Sequence, residues 1–145
     1  MTTSTELKIK LKEIPGFLGV FPRDMSPVVN NFPASLIINT DTSDKSGEHW
    51  VAVYISNRGF GEYFDSYGLK PLYKEFIYFM DKYCPNGWQY NSTPIQGLVS
   101  TNCGQYCVVY IFSKSIGFTF CEIIKIFTTC SQTNDKIIEK IYQNL

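Results

Sequence analysis

Histidine is nearly absent from this chain: His49 is the single imidazole in 145 residues. A zinc centre usually draws three or four ligands from histidine and cysteine. The five cysteines, Cys84, Cys103, Cys107, Cys121 and Cys130, include no CxxC pair. Cys103 and Cys107 stand one helical turn apart, yet only His49 could add an imidazole to them, so no metal centre is expected. The odd cysteine count and loose spacing also argue against a disulfide scaffold, and free thiols in a reducing compartment are the expectation. Net charge is missing as well, since 13 basic residues face 13 acidic ones. Chain-wide attraction to nucleic acid or to an anionic membrane does not follow. Lys8, Lys10 and Lys12 form the densest basic stretch, and a solvated helix face accounts for them. No apolar run approaches the roughly 20 residues that span a bilayer, and residues 1–12 contain no apolar signal core. A phosphate-cradling loop would need Gly-Lys-Ser/Thr, which the residues before Cys103 do not supply. Neither repeats nor low-complexity tracts occur, and no cofactor is required.

What the chain does have is apolar and aromatic mass. Hydrophobic residues make up 44% and aromatics 16%, which suits a packed globule rather than a disordered segment. The length suits one domain, residues 1–145, able to bury roughly two thirds of its unfolded surface. Thr3-Ser4-Thr5-Glu6 predicts a capping box and a short helix to about Glu13, stopped by Pro15-Gly16. Residues 17–33, rich in Pro and Asn, read as an ordered loop, and residues 35–39 as a buried strand. Residues 49–56 and 60–65 read as two strands joined by Asn57-Arg58-Gly59, a loop suited to a type I turn closed by a left-handed glycine. Helices are expected over residues 71–83 (Pro71 in the first turn), 103–115, 118–127 and 134–142, with a further strand at 88–92.

The hairpin has a chemical consequence. If Ser56 faces Phe60, then Val51 faces Asp65, and His49 and Asp65 lie on one face as diagonal neighbours. A slip of one residue would separate them. Glu48 and Glu62, the rival acids, alternate to the other face. Cys103 falls where the loop of residues 97–102 meets an apolar helix, and the positive end of a helix dipole favours thiolate there. Gly104 leaves room for a substrate backbone beside the sulfur. Gln96, seven positions upstream, offers an amide that could join the Cys103 backbone N–H in an oxyanion hole. A base, an orienting acid, an amide donor and a nucleophile are the parts of thiol acyl transfer. Taken one at a time, a packed cysteine, a satisfied strand histidine, a turn aspartate and an exposed loop glutamine account for the same residues.

In combination these segments resemble a known family. Phe17-Leu18-Gly19-Val20-Phe21, Leu36-Ile37-Ile38-Asn39-Thr40, Gly47-Glu48-His49-Trp50, Tyr63-Phe64-Asp65-Ser66-Tyr67-Gly68 and Gln96-Gly97 followed five residues later by Cys103-Gly104 succeed one another as in the adenain family. Those are the adenovirus maturation proteases, with relatives in Maverick/Polinton elements and virophages and, more distantly, among deconjugases of SUMO-like modifiers. The likeness runs from about Phe17 to Phe112 and lapses after about Gly117. It implies an α+β, papain-like (adenain/Ulp-type) fold, with a central sheet and the nucleophile on a buried helix. It implies Cys103 as nucleophile, His49 as base, Asp65 as its acid and Gln96 as oxyanion donor, with Trp50, Gly104 and Gly47 lining the substrate cleft. The implied activity is a cysteine endopeptidase that cleaves capsid or other viral structural precursors at glycine-rich sites, acting as a monomer inside the infected host and in the virion. The family also implies an activating peptide, for which Cys84 lies near the attachment position, although its spacing to Gln96 differs and an ordinary helix-end cysteine is the preferred account of it. DNA activation fits poorly with zero net charge. Asn102, where deconjugases usually carry Asp, favours the viral reading over deconjugation. An inactive binding module of the same fold is the remaining alternative.

Overall fold

The structure, a computed structural model, describes residues 2–145. Ten elements follow one another: α1 (Ser4–Leu11), β1 (Phe17–Phe21), β2 (Ala34–Asn39), β3 (Trp50–Ile55), β4 (Gly61–Phe64), α2 (Lys74–Tyr83), β5 (Trp88–Tyr90), α3 (Cys103–Ser115), α4 (Phe120–Ile124) and α5 (Ser131–Gln143). The strands form one sheet in the order β1-β2-β3-β4-β5. Both edge pairs, β1 with β2 and β4 with β5, are parallel, and the two central pairings are antiparallel.

Strand alternation sends successive side chains to opposite faces, and here both faces are covered. Ile37, Trp50, Ala52 and Phe64 join α3 in one core, together with Leu7 and Leu11 of α1 and Ile138 of α5. Leu36, Ile38, Val51, Val53 and Ile55 join Phe76, Phe79 and Met80 of α2 in the other. Two-sided burial explains why β2 and β3 read as unbroken apolar runs. The helix that carries Cys103 is α3, buried along nearly its whole length by sheet on one side and by α1 and α5 on the other. The α+β class and the central sheet are therefore as expected. No helix among the described residues is long and apolar enough to cross a membrane.

The hairpin register is the expected one. Ala52 faces Phe64 and Ile55 faces Gly61, and Ser56 closes the turn through its amide to the Phe60 carbonyl, 2.8 Å. Gly59 takes φ +77° as the turn requires.

Four local readings need correction. Residues 17–21 are a strand rather than loop, because the edge of β2 supplies a partner that local composition does not reveal, and Gly19 leaves an irregularity in the pairing between Phe17 and Val20. Pro71 precedes α2 instead of lying in its first turn: Tyr73 is still extended, and the Arg23 guanidinium stacks on its ring at 3.8 Å. The helix expected at 118–127 shrinks to five residues set by the Thr119 capping box, while the last helix starts three residues earlier, at Ser131.

Candidate active site

The hairpin brings His49 and Asp65 together. Nε2 of the ring lies 2.7 Å from Oδ1 of Asp65, and both residues are buried. Tyr67 stacks on the imidazole, centroid to centroid 4.4 Å, and its backbone N–H donates to the same Oδ1 at 2.8 Å. Asn91 clamps the backbone of Asp65 from β5's end: its Oδ1 accepts from the Asp65 N–H, 2.9 Å, and its Nδ2 donates to the Asp65 carbonyl, 2.6 Å. The carboxylate is thus held by backbone as well as by its own side-chain bonds.

Cys103 is the first residue of α3, and its side chain adjoins His49. Asn102, the N-cap, makes no side-chain cap, so backbone N–H groups of the first turn are left without that partner. Among the described residues Nδ1 of His49 has no hydrogen-bond partner of ordinary geometry, although Cys103 is close enough to act on the ring. Burial works against the charged imidazole. Asp65 and Cys103, through hydrogen bonding and charge, more than offset it and push the His49 pKa up to about 9.

Gln96 is buried, not an exposed loop residue. Its Oε1 accepts from the Ser66 hydroxyl, and the Ser66 carbonyl accepts the Ile95 and Gln96 amides, each at 2.9 Å. The side-chain N–H groups of Gln96 donate to the carbonyl and hydroxyl of Ser100, 3.0 and 3.3 Å. The amide therefore ties down the loop that leads into Cys103, and in this state its donors are turned to that loop.

The expected cleft residues stand as follows. Gly47 takes φ +97°, and a Cβ there would meet the Asn39 amide at 3.0 Å. Trp50 opens β3 beside His49. The space beside Gly104 is not open: a Cβ there would meet Leu7 and Thr2 at 3.1 Å and Trp50 at 3.3 Å. Its lack of a side chain lets α1 approach α3. Cys84 packs as a structural cysteine would. It is buried in the α2 core, where a Cβ on Gly61 would lie 2.3 Å from its sulfur, and burial pushes its thiol pKa up to about 11.

Sequence reasoning missed Asn91, Ser100 and the α5 residues that brace Gln96. Asn134, fully buried, donates to the Ile95 carbonyl at 3.0 Å, and Asp135 accepts from the Tyr106 hydroxyl at 2.7 Å. Ser66 and Tyr67 lie inside the motif around Asp65, which was the one signal available for them.

A mixed sheet that sets a His–Asp pair beside a cysteine at the N-terminus of a buried helix fits the papain-like α+β fold expected from the sequence. Comparison with solved structures agrees on the fold. The ASFV pS273R protease superposes with a TM-score of 0.58 and 24% identity over 74% of this chain. The central domain of the uncharacterized Lpg1148 protein from Legionella pneumophila superposes with a TM-score of 0.51 and 16% identity, covering 88% of this chain and 84% of that one. The chain spans 42% of the pS273R protein. No family model matches the sequence, and no curated protein matches it significantly.

Proposed function

We propose that this chain is a cysteine endopeptidase, with Cys103 as nucleophile, His49 as general acid and base, and Asp65 as the group that orients the ring. The observation that carries the reading is the buried His49: one nitrogen bonded to Asp65, the other unpartnered beside a cysteine at a helix N-terminus. A pKa of about 9 leaves the ring protonated near neutral pH, ready to give its proton to a departing amine. The Cys103 sulfur adds to the substrate carbonyl, the C–N bond breaks as the amine takes the proton from His49, and a thioester remains. Water, giving a proton to the now neutral imidazole, then adds to the thioester carbonyl, the C–S bond breaks, and the acid leaves with the Cys103 thiolate and the protonated ring restored. First-turn amides of α3 are the nearest oxyanion donors, and Gln96 joins them if its bond to Ser100 is given up.

Viral structural precursors with small residues at the scissile bond are the proposed substrates. The fold shared with a viral protease supports the first part, and the second rests on the family resemblance of the sequence. Replacing Cys103 by Ala should abolish cleavage of glycine-rich peptides and leave the circular dichroism spectrum and melting temperature nearly intact. A Cys103→Ala variant that still cleaves would end the proposal. Selective cleavage of ubiquitin-like conjugates over such peptides would move the substrate assignment to deconjugation.

A further inference from the structure

Thr2, in the chain's own N-terminal segment, lies against Trp50 and Gly104, the chain neighbours of His49 and Cys103. Trp50, next to His49, donates its indole N–H to the carbonyl of Thr2 at 3.1 Å. The Thr2 side chain sits over Gly104, next to Cys103. A groove of about 500 Å³ adjoins this contact, with Thr2, Thr3, Asn39, Gly47 and Trp50 in its lining, and it stops short of His49 and Cys103. Cys103 itself is only 3% exposed. The segment is held by a lever: Thr3 caps α1 through a reciprocal pair with Glu6, and Leu7, one turn further on, packs against Gly104.

We propose that Thr2 is an intramolecular occupant of the cleft, held on Trp50 by its backbone carbonyl, and that polypeptide substrates compete with it for that contact. This inference rests on the endopeptidase reading. It follows from chemistry that does not depend on sequence: the indole N–H binds a backbone carbonyl, which every polypeptide carries. Because the capping box begins at Thr3, the contact can break without unwinding α1.

The test compares the full chain with a form beginning at Thr3. Two reagents are used: iodoacetamide, small enough to bypass the groove, and a peptidyl vinyl sulfone ending in Gly-Gly, which must lie along it. Removing a carbonyl contact worth about 1–1.5 kcal/mol should speed the peptidyl reagent about tenfold and lower KM more than it changes kcat. The iodoacetamide rate at Cys103 should change little. A Thr2→Gly variant keeps the carbonyl and the helix cap but removes the side chain over Gly104, so it should shift in the same direction by less than the truncation does, and it covers the case in which truncation impairs folding. Equal or slower peptidyl labelling in both variants, with melting temperatures intact, overturns the inference while leaving the enzyme reading in place. Iodoacetamide labelling of Cys103 no faster than that of Cys121 and Cys130 in every form overturns the endopeptidase reading and this inference with it.

Discussion

A buried imidazole with a pKa near 9 ties the catalytic proposal to folding stability. His49 is raised above its ordinary 6.5 despite its burial, because Asp65 and Cys103 favour the protonated ring. A group whose pKa rises on folding binds its proton more tightly in the native state. Its stabilisation is complete below about pH 6.5 and is lost as pH climbs through 9. Urea denaturation of the full chain and of a His49→Gln variant should therefore show a stability difference that narrows between pH 6.5 and 9. A difference independent of pH would mean that the ring is not protonated in the fold. The kinetic counterpart is Asp65→Asn. Without the carboxylate, burial is opposed only by Cys103, the His49 pKa falls, and the alkaline limb of kcat moves to lower pH. The loss at the optimum should be about 10²–10⁴-fold, the usual worth of a positioned acid–base group.

Elements matter through the register they impose. The β3–β4 hairpin places His49 and Asp65 on one face, and this was legible because turn type, strand period and the Gly59 position all follow local rules. The turn after β4 is a harder constraint. Gly68 takes φ +72°, its N–H donates to the Asp65 carbonyl at 2.8 Å, and a Cβ there would lie 2.5 Å from the Pro94 backbone nitrogen. Backbone cannot swing aside as a side chain can. Gly117, at φ +100°, has nothing within 4 Å of the same position. Alanine at Gly117 should cost about 1–2 kcal/mol, from conformation alone. Alanine at Gly68 should cost more than that, with overpacking adding about 1–3 kcal/mol, and should reduce kcat by displacing Asp65. Chemical denaturation of both variants measures the contrast, and equal costs would show that the Gly68 turn has room to relax. The loop before Cys103 was less legible. Leu98 and Val99 are 90% and 97% exposed, and nothing in their composition indicates that Ser100 between them and Cys103 is the anchor for Gln96.

At the scale of the whole molecule, the last quarter of the chain shows why resemblance ended before the site did. Motifs around the proposed reacting groups are short and sequential, so His49, Asp65, Gln96 and Cys103 could be read in order. The support behind Gln96 comes from α5, about forty residues downstream, and a contact at that separation leaves no local pattern. Asn134 is fully buried and links three points: it donates to the carbonyls of Ile95, 3.0 Å, and Thr128, 2.9 Å, and accepts from the Thr128 amide, 2.7 Å. Tyr106 of α3 reaches the same Ile95 carbonyl at 3.2 Å and Asp135 of α5 at 2.7 Å. The residue before Gln96 is therefore fastened from two helices, and α5 acts on the site as well as closing the core. Asn134→Ala takes a donor from the buried Ile95 carbonyl and the acceptor from the Thr128 amide, a loss of about 1–3 kcal/mol. If Gln96 takes part in stabilising the oxyanion, the variant should also lower kcat with KM nearly unchanged, and adding Gln96→Ala on top of it should cost less than the sum of the two single changes. Strict additivity in that double-mutant cycle would mean that α5 supports the fold alone, and that the bracing of Ile95 has no bearing on the chemistry at Cys103.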